Sequence, residues 1–270
     1  MRLRIVVAAI LIPAMLFVVL GLPEIVTVFF VAFFAAIGAY ELLHNTRLVM
    51  HFRLVVYSML FAFAIPFWSF YGCDRTLELV GILIFFALLF AENMMADGKI
   101  PLQKLCICFM AGMVLPYMFS AIARILAMHH GRNIVLLPFL IAFASDGGAY
   151  FIGVFFGKHK MAPIISPKKT WEGFFGGITF AIVGTVIYMI VQQFAFDMHV
   201  NYFYAIVYGV IGSLAGVFGD LCFSVIKRQV GIKDYGTIFP GHGGMYDRFD
   251  SVIVVTPLIE CLLILIPAIW

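Results

Sequence analysis

The chain has 270 residues, of which 64% are hydrophobic and only 11% charged, where soluble domains carry about 45–50% and about 25%. So little polar surface excludes a water-soluble globule. The formal charge of +3 says less than its distribution along the chain.

Backbone polar groups in hydrocarbon must be satisfied within their own segment, so about 20 apolar residues in a helix are needed to cross it. Such stretches lie near 5–20, 24–42, 54–71, 78–91, 105–125, 134–156, 173–196, 202–226 and 251–269. They predict an all-α, polytopic integral membrane protein with about nine transmembrane helices, the fourth stretch being short. The opening MRLR and the apolar run after it are read as the first span, because no small-residue cleavage site follows. Cys73, Cys106, Cys108, Cys222 and Cys261 are scattered, odd in number and without CxxC spacing, which argues against a disulfide or metal framework.

With the N-terminus cytoplasmic, loops on that side carry Arg2, Arg4, Arg47, Arg53, Lys99, Lys104, Lys158, Lys160, Lys168, Lys169, Lys227, Arg228, Lys233 and Arg248. Arg75 and Arg132 fall opposite, and Arg124 near a span end. This bias sets the orientation, and a basic inner face attracts anionic headgroups and phosphates. No repeat or linker divides the chain, so it reads as a single integral membrane domain over 1–270. Residues 1–133 are expected to be scaffold helices and dimer surface, and 134–270 hold most of the unusual polar groups.

The first anomaly is FASDGGAYFIG, where Asp146 sits about twelve residues into an uncharged span. A carboxylate there costs at least about 2.5 kcal/mol unless it faces a wet cavity, a cation or a partner. A hydrogen-bonded Asp holding helices together is the structural alternative. The second is the loop GKHKMAPIISPKKTWEGFFGG. Its Ser166-Pro167 resembles a helix start, Ser capping and Pro at the first helical position, with Lys168 and Lys169 in the first turn. Cations are disfavoured at that end, which suggests an anionic ligand; positive-inside anchoring is the plainer reading.

The third anomaly is KRQVGIKDYGTIFPGHGGMYDRFD, a polar stretch between two apolar segments. If the preceding helix runs through GDLCFSVIKRQ, then Asp220, Ser224 and Lys227 share one face. Beyond the loop, Asp247 and Asp250 align at the next helix start, where negative charge suits the dipole. These carboxylates, with Asp146 from a third helix, suit Mg²⁺, which takes one or two carboxylates plus waters and phosphate oxygens. Pairing of the aspartates with Lys227, Arg228 and Arg248 is the structural alternative. The glycines of GTIFPGHGG, including Gly243 and Gly244, can present amides to phosphate, with Lys227, Arg228, Lys233 and Arg248 around them and His242 either a phosphate ligand, an acid or a packed loop residue.

From Ser224 to Asp250 the spacing S-x-x-K-R-x4-K-D-x-G-x2-F-P-x-H-G-G-M-x-D-R-F-D resembles the signature of phosphatidate cytidylyltransferases, the CDP-diacylglycerol synthases. SDGGAYFIG and SPKKTWEGFFGG resemble two further stretches of that family, and over the first half the similarity rests on hydropathy. The resemblance implies an inner-membrane enzyme, a homodimer, that joins phosphatidic acid to CTP with Mg²⁺ at a cytoplasm-facing site, with membrane lipid and no nucleic acid as partners. It implies Asp220, Asp247 and Lys227 as the catalytic set, and Asp220, Asp247, Asp250 and Asp146 around the metal. Ser224, Arg228, Lys233, His242, Gly243, Gly244, Arg248, Lys168 and Lys169 would bind substrate. Two other classes stand beside it. A CDP-alcohol phosphotransferase also uses clustered aspartates, but Tyr150 stands where its pattern wants arginine and no later G-x3-D-x3-D follows. A transporter of anionic lipid or nucleotide would explain Asp146, but such proteins are commonly built on repeats around a midplane site.

Overall fold

A computed structural model describes residues 13–72, 74–238 and 243–270. Half of the span expected at 5–20, with Arg2 and Arg4, as well as Cys73 and His242, lies outside the described residues.

Seven helices among the described residues are long and apolar enough to cross a membrane: α1 (Glu24–Asn45), α2 (Phe52–Tyr71), α3 (Arg75–Met95), α4 (Leu102–Leu126), α5 (Gly131–Phe156), α6 (Trp171–Phe196) and α7 (Tyr202–Val230). An eighth helix, α8 (Tyr246–Leu265), is of similar length but carries Asp247, Arg248, Asp250 and Glu260. The expected multi-pass helical architecture is therefore present, and the short stretch at 78–91 is part of a full 21-residue helix. α3 is also the least covered, with Leu77, Leu79, Leu83, Ile84 and Phe86 exposed, as befits a surface solvated by lipid. Cys106, Cys108, Cys222 and Cys261 are free.

The described residues fall into two compact units. One comprises those before Met128 together with Val230–Arg248. In it α1 packs along α2, and α4 meets α2 where Gly112 faces the backbone of Ser58 and the ring of Phe85. Phe85 also lies 4.6 Å from the Phe61 ring centroid. α1 ends in a π-helical turn, Glu41–Asn45, closed by Thr46 N–H donating to the Glu41 carbonyl at 3.3 Å. Such turns re-aim side chains and recur at functional sites.

The other unit comprises Met128–Gln229 and Phe249–Trp270. Its spine is the α5–α6 pair, joined by small residues: Gly148 lies under Phe180, Gly176 under Ile152, and Gly177 against the Ser145 carbonyl. Lipid tails are as apolar as leucine, so helices in a bilayer associate through close van der Waals packing, which small residues permit. α7 adds to this pair through Gly209, which abuts the Ile182 backbone, and α8 packs on α7 through Gly219. Ser145 and Ser213 hydroxyls, 2.7 Å apart and buried, satisfy each other between α5 and α7.

The connection from α5 to α6 corrects one expectation. Ser166-Pro167 does not start a helix; Ser166–Thr170 is strand β2, antiparallel to β1 (Lys160–Ala162), with Lys160 opposite Thr170 and Ala162 opposite Ser166. The helix starts at Trp171 instead, because Thr170 is the better placed cap: its hydroxyl accepts from Gly173 N–H at 3.2 Å. The acidic first-turn residue follows at once as Glu172, favourable for the dipole, and it binds the His159 ring at 2.6 Å. Proline tolerates the edge of a two-stranded ribbon because it lacks only a donor. Lys168 and Lys169 thus stand on a hairpin strand just before the cap, outside the first helical turn.

Candidate active site

In the α5–α8 unit, three of the four predicted carboxylates gather. α5 presents Asp146, α7 presents Asp220 and the start of α8 presents Asp250. Asp220, Ser224 and Lys227 do share one face: the Ser224 hydroxyl donates to Asp220 Oδ1 at 3.2 Å. The hairpin delivers Lys169, whose Nζ lies 2.7 Å from Asp220 Oδ2. Asp250 caps the Ser251 amide at 2.8 Å, and the Ser251 hydroxyl donates to Asp146 Oδ2 at 3.3 Å. Asp250 also lies within electrostatic reach of Asp220, Asp146 and Lys227.

A cavity of about 270 Å³ opens among these groups, lined by Asp146, Tyr150, Ser166, Lys168, Lys169 and Asp220. Asp146 is exposed into it. Its depth in an apolar helix is therefore met by an open cavity with lysine and carboxylate groups on its wall, and facing a cavity or a cation is what makes an intramembrane carboxylate tolerable. Arg228 reaches back from the end of α7, its Nε donating to the Ile165 carbonyl at 3.2 Å, and so ties the hairpin over the site.

Asp247 belongs to the other unit, where it organises the glycine-rich loop. Its Oδ2 accepts from Tyr235 N–H at 2.7 Å and from Gly244 N–H at 2.9 Å. One carboxylate oxygen thus closes the two ends of the loop. Gly243 has φ +89°, a conformation costly for any side chain, and its Cα faces the Asp247 carboxylate. Lys233 and Arg248 of the same unit are exposed.

Two residues that the sequence reading passed over hold this loop from α1. Glu41, 2% exposed, accepts from Met245 N–H at 2.7 Å, and Asn45 Nδ2 donates to the Tyr235 carbonyl at 3.1 Å. Glu41 was available as a signal of the same kind as Asp146, a carboxylate at the C-terminal end of an apolar run. Its partner stands 204 positions away in sequence, and that distance hid it.

Asp146, Asp220 and Asp250 are hard oxygen donors of the kind Mg²⁺ takes. Among the described residues no three such side chains close on one point as in a formed metal site, and Lys169 supplies the positive charge at Asp220. The donor set fits a divalent ion in kind.

A model described as the cytidylyltransferase family matches residues 2–266. The chain belongs to the cytidylyltransferase family. Among relatives, the phosphatidate cytidylyltransferase of Staphylococcus epidermidis is 35% identical over 194 residues, 70% of this chain and 71% of its own. That of Staphylococcus haemolyticus is 45% identical over 134 residues, 50% of each chain. That of Staphylococcus aureus is 40% identical over 159 residues, 59% of this chain and 58% of its own. Membership in the cytidylyltransferase family makes the chain an enzyme and sets aside the CDP-alcohol phosphotransferase and transporter readings.

Proposed function

We propose that the protein transfers the cytidylyl group of CTP to phosphatidic acid, forming CDP-diacylglycerol and releasing pyrophosphate. A phosphatidate oxygen attacks the α-phosphorus of CTP in line, one P–O bond forms, and the bond to the β-phosphate's bridging oxygen breaks. The nucleophile is already an anion, so no general base is required. What the protein must supply is position and charge compensation as negative charge shifts to the leaving group.

The observation that carries this reading is the cavity in the α5–α8 unit, where carboxylates and lysines line one opening in otherwise apolar helices. One substrate is held in lipid and the other is a polyanion, so a polar site within a bundle of membrane helices suits both. Lys168, Lys169, Lys227 and Arg228 are assigned to substrate phosphates, with Ser224 orienting Asp220. Asp220, Asp146 and Asp250 would hold Mg²⁺, which when bound would neutralise charge on the transferring and leaving phosphoryl oxygens. Asp247, expected with Asp220 as a principal metal ligand, enters the proposal instead as the residue that shapes the phosphate loop of Gly243 and Gly244, with Lys233 and Arg248 beside it and His242 in the same stretch.

An inner-membrane location, a cytoplasm-facing site and a homodimer belong to the same proposal, the second supported by the crowding of Lys and Arg into alternate loops. The test is incubation of purified protein with phosphatidic acid, labelled CTP and Mg²⁺, with ATP, GTP and UTP in parallel. Label in the lipid fraction from CTP alone is the expected result. No lipid label from any nucleotide, in folded protein, sinks the reading.

A further inference from the structure

Residues 24–45 belong to the part of the chain expected to be scaffold, yet α1 ends by gripping the loop that carries the family signature. The π-helical turn sets Glu41 and Asn45 on the same side, one accepting from Met245 N–H and the other donating to the Tyr235 carbonyl. Asp247 ties the same two loop ends through Tyr235 N–H and Gly244 N–H. Gly236 and Gly244 pack directly on the Glu41 carboxylate, where a methyl group at either position would overlap it. A loop with so many glycines has many conformations to lose on ordering. A buried carboxylate is retained only where donors compensate its desolvation, so Glu41 and the loop amides fix one another.

We propose that Glu41, assisted by Asn45, is a positioning residue for the reaction: it clamps the ends of the loop at Tyr235–Gly236 and Gly244–Met245 and so fixes where the loop meets the phosphates of the nucleotide. The phosphate role of the loop rests on the function proposed above; the clamp itself rests on the hydrogen bonds alone. Glu41 touches no reacting atom in this scheme and acts through Met245, Gly244 and Gly236.

The test compares wild type, E41A, E41Q and N45A as full-length protein in detergent micelles, by amide hydrogen exchange over 233–238 and 243–248 and by CTP kinetics. E41A orphans a buried amide, so exchange in both peptides should accelerate by about tenfold and KM for CTP should rise by roughly tenfold, with kcat changed less. E41Q keeps an acceptor for Met245 N–H and should stay within about threefold of wild type. N45A loses one hydrogen bond and should fall between them. Unchanged exchange in E41A overturns the clamp, and faster exchange with an unchanged KM for CTP reduces Glu41 to a structural contact. If E41A does not fold, N45A decides: wild-type exchange and KM there overturn the proposal, and faster exchange at Tyr235 with raised KM supports it. Wild-type protein that makes no CDP-diacylglycerol refutes the functional reading instead, while the exchange comparison still decides whether the clamp exists.

Discussion

Asp220→Asn separates charge from shape at the centre of the site. The amide keeps the size of the carboxylate and keeps a carbonyl oxygen for the Ser224 hydroxyl, 3.2 Å away. It removes the charge that faces Lys169 Nζ at 2.7 Å. Both side chains of that pair are about a quarter exposed, 21% and 27%, so the loss is less than the roughly 3–5 kcal/mol seen when a fully buried pair is broken. A stability cost of about 1–3 kcal/mol follows, comparable to leaving one buried polar group unsatisfied. The catalytic cost should be larger, because a site that compensates shifting negative charge loses about a hundredfold or more per essential electrostatic group. The assay is lipid-linked CMP formation per folded molecule, with folding checked by gel filtration and melting in detergent. Near-normal turnover in D220N that elutes and melts like wild type would refute the reasoning.

Gly243→Ala forces a side chain into φ +89° and pushes it against the Asp247 carboxylate, so a stability loss of about 1–3 kcal/mol with at least a tenfold loss of activity is expected; a variant of unchanged activity would show that the loop geometry is dispensable. Thr170→Ala removes the cap on Gly173 N–H, costing about 1 kcal/mol. Its melting temperature should fall, and turnover should fall several-fold because Lys168 and Lys169 lie next to the cap; Thr170→Ser should recover most of both.

The multi-pass helical plan was legible because it depends on local composition and length. The polar face of α7 was legible for the same reason, since Asp220, Ser224 and Lys227 follow helical spacing. The hairpin was not. Ser166-Pro167 has the right residues for a helix start, but Trp171 N–H donates to the His159 carbonyl at 3.0 Å, pairing the chain with a segment twelve positions earlier and leaving Thr170 to cap. Asp146 stood out because its whole neighbourhood is apolar, whereas Glu41 lies where a span gives way to polar residues and passed as a boundary charge. Its meaning depends on Met245, and no periodicity in either segment reports that contact. Asp247 was singled out for metal binding from its spacing to Asp250; its hydrogen bonds to Tyr235 and Gly244 amides depend on how the loop folds back, which spacing does not encode.

The central claim is that the bond broken in CTP lies between its α- and β-phosphates and that the lipid takes the α-phosphate. It is tested most directly by two parallel reactions, one with CTP labelled at the α-phosphate and one at the γ-phosphate. The account predicts α-label in the lipid and γ-label released as pyrophosphate, in equal amounts, with both lost in D220N. Lipid carrying the γ-label, or pyrophosphate released without lipid labelling, would contradict it.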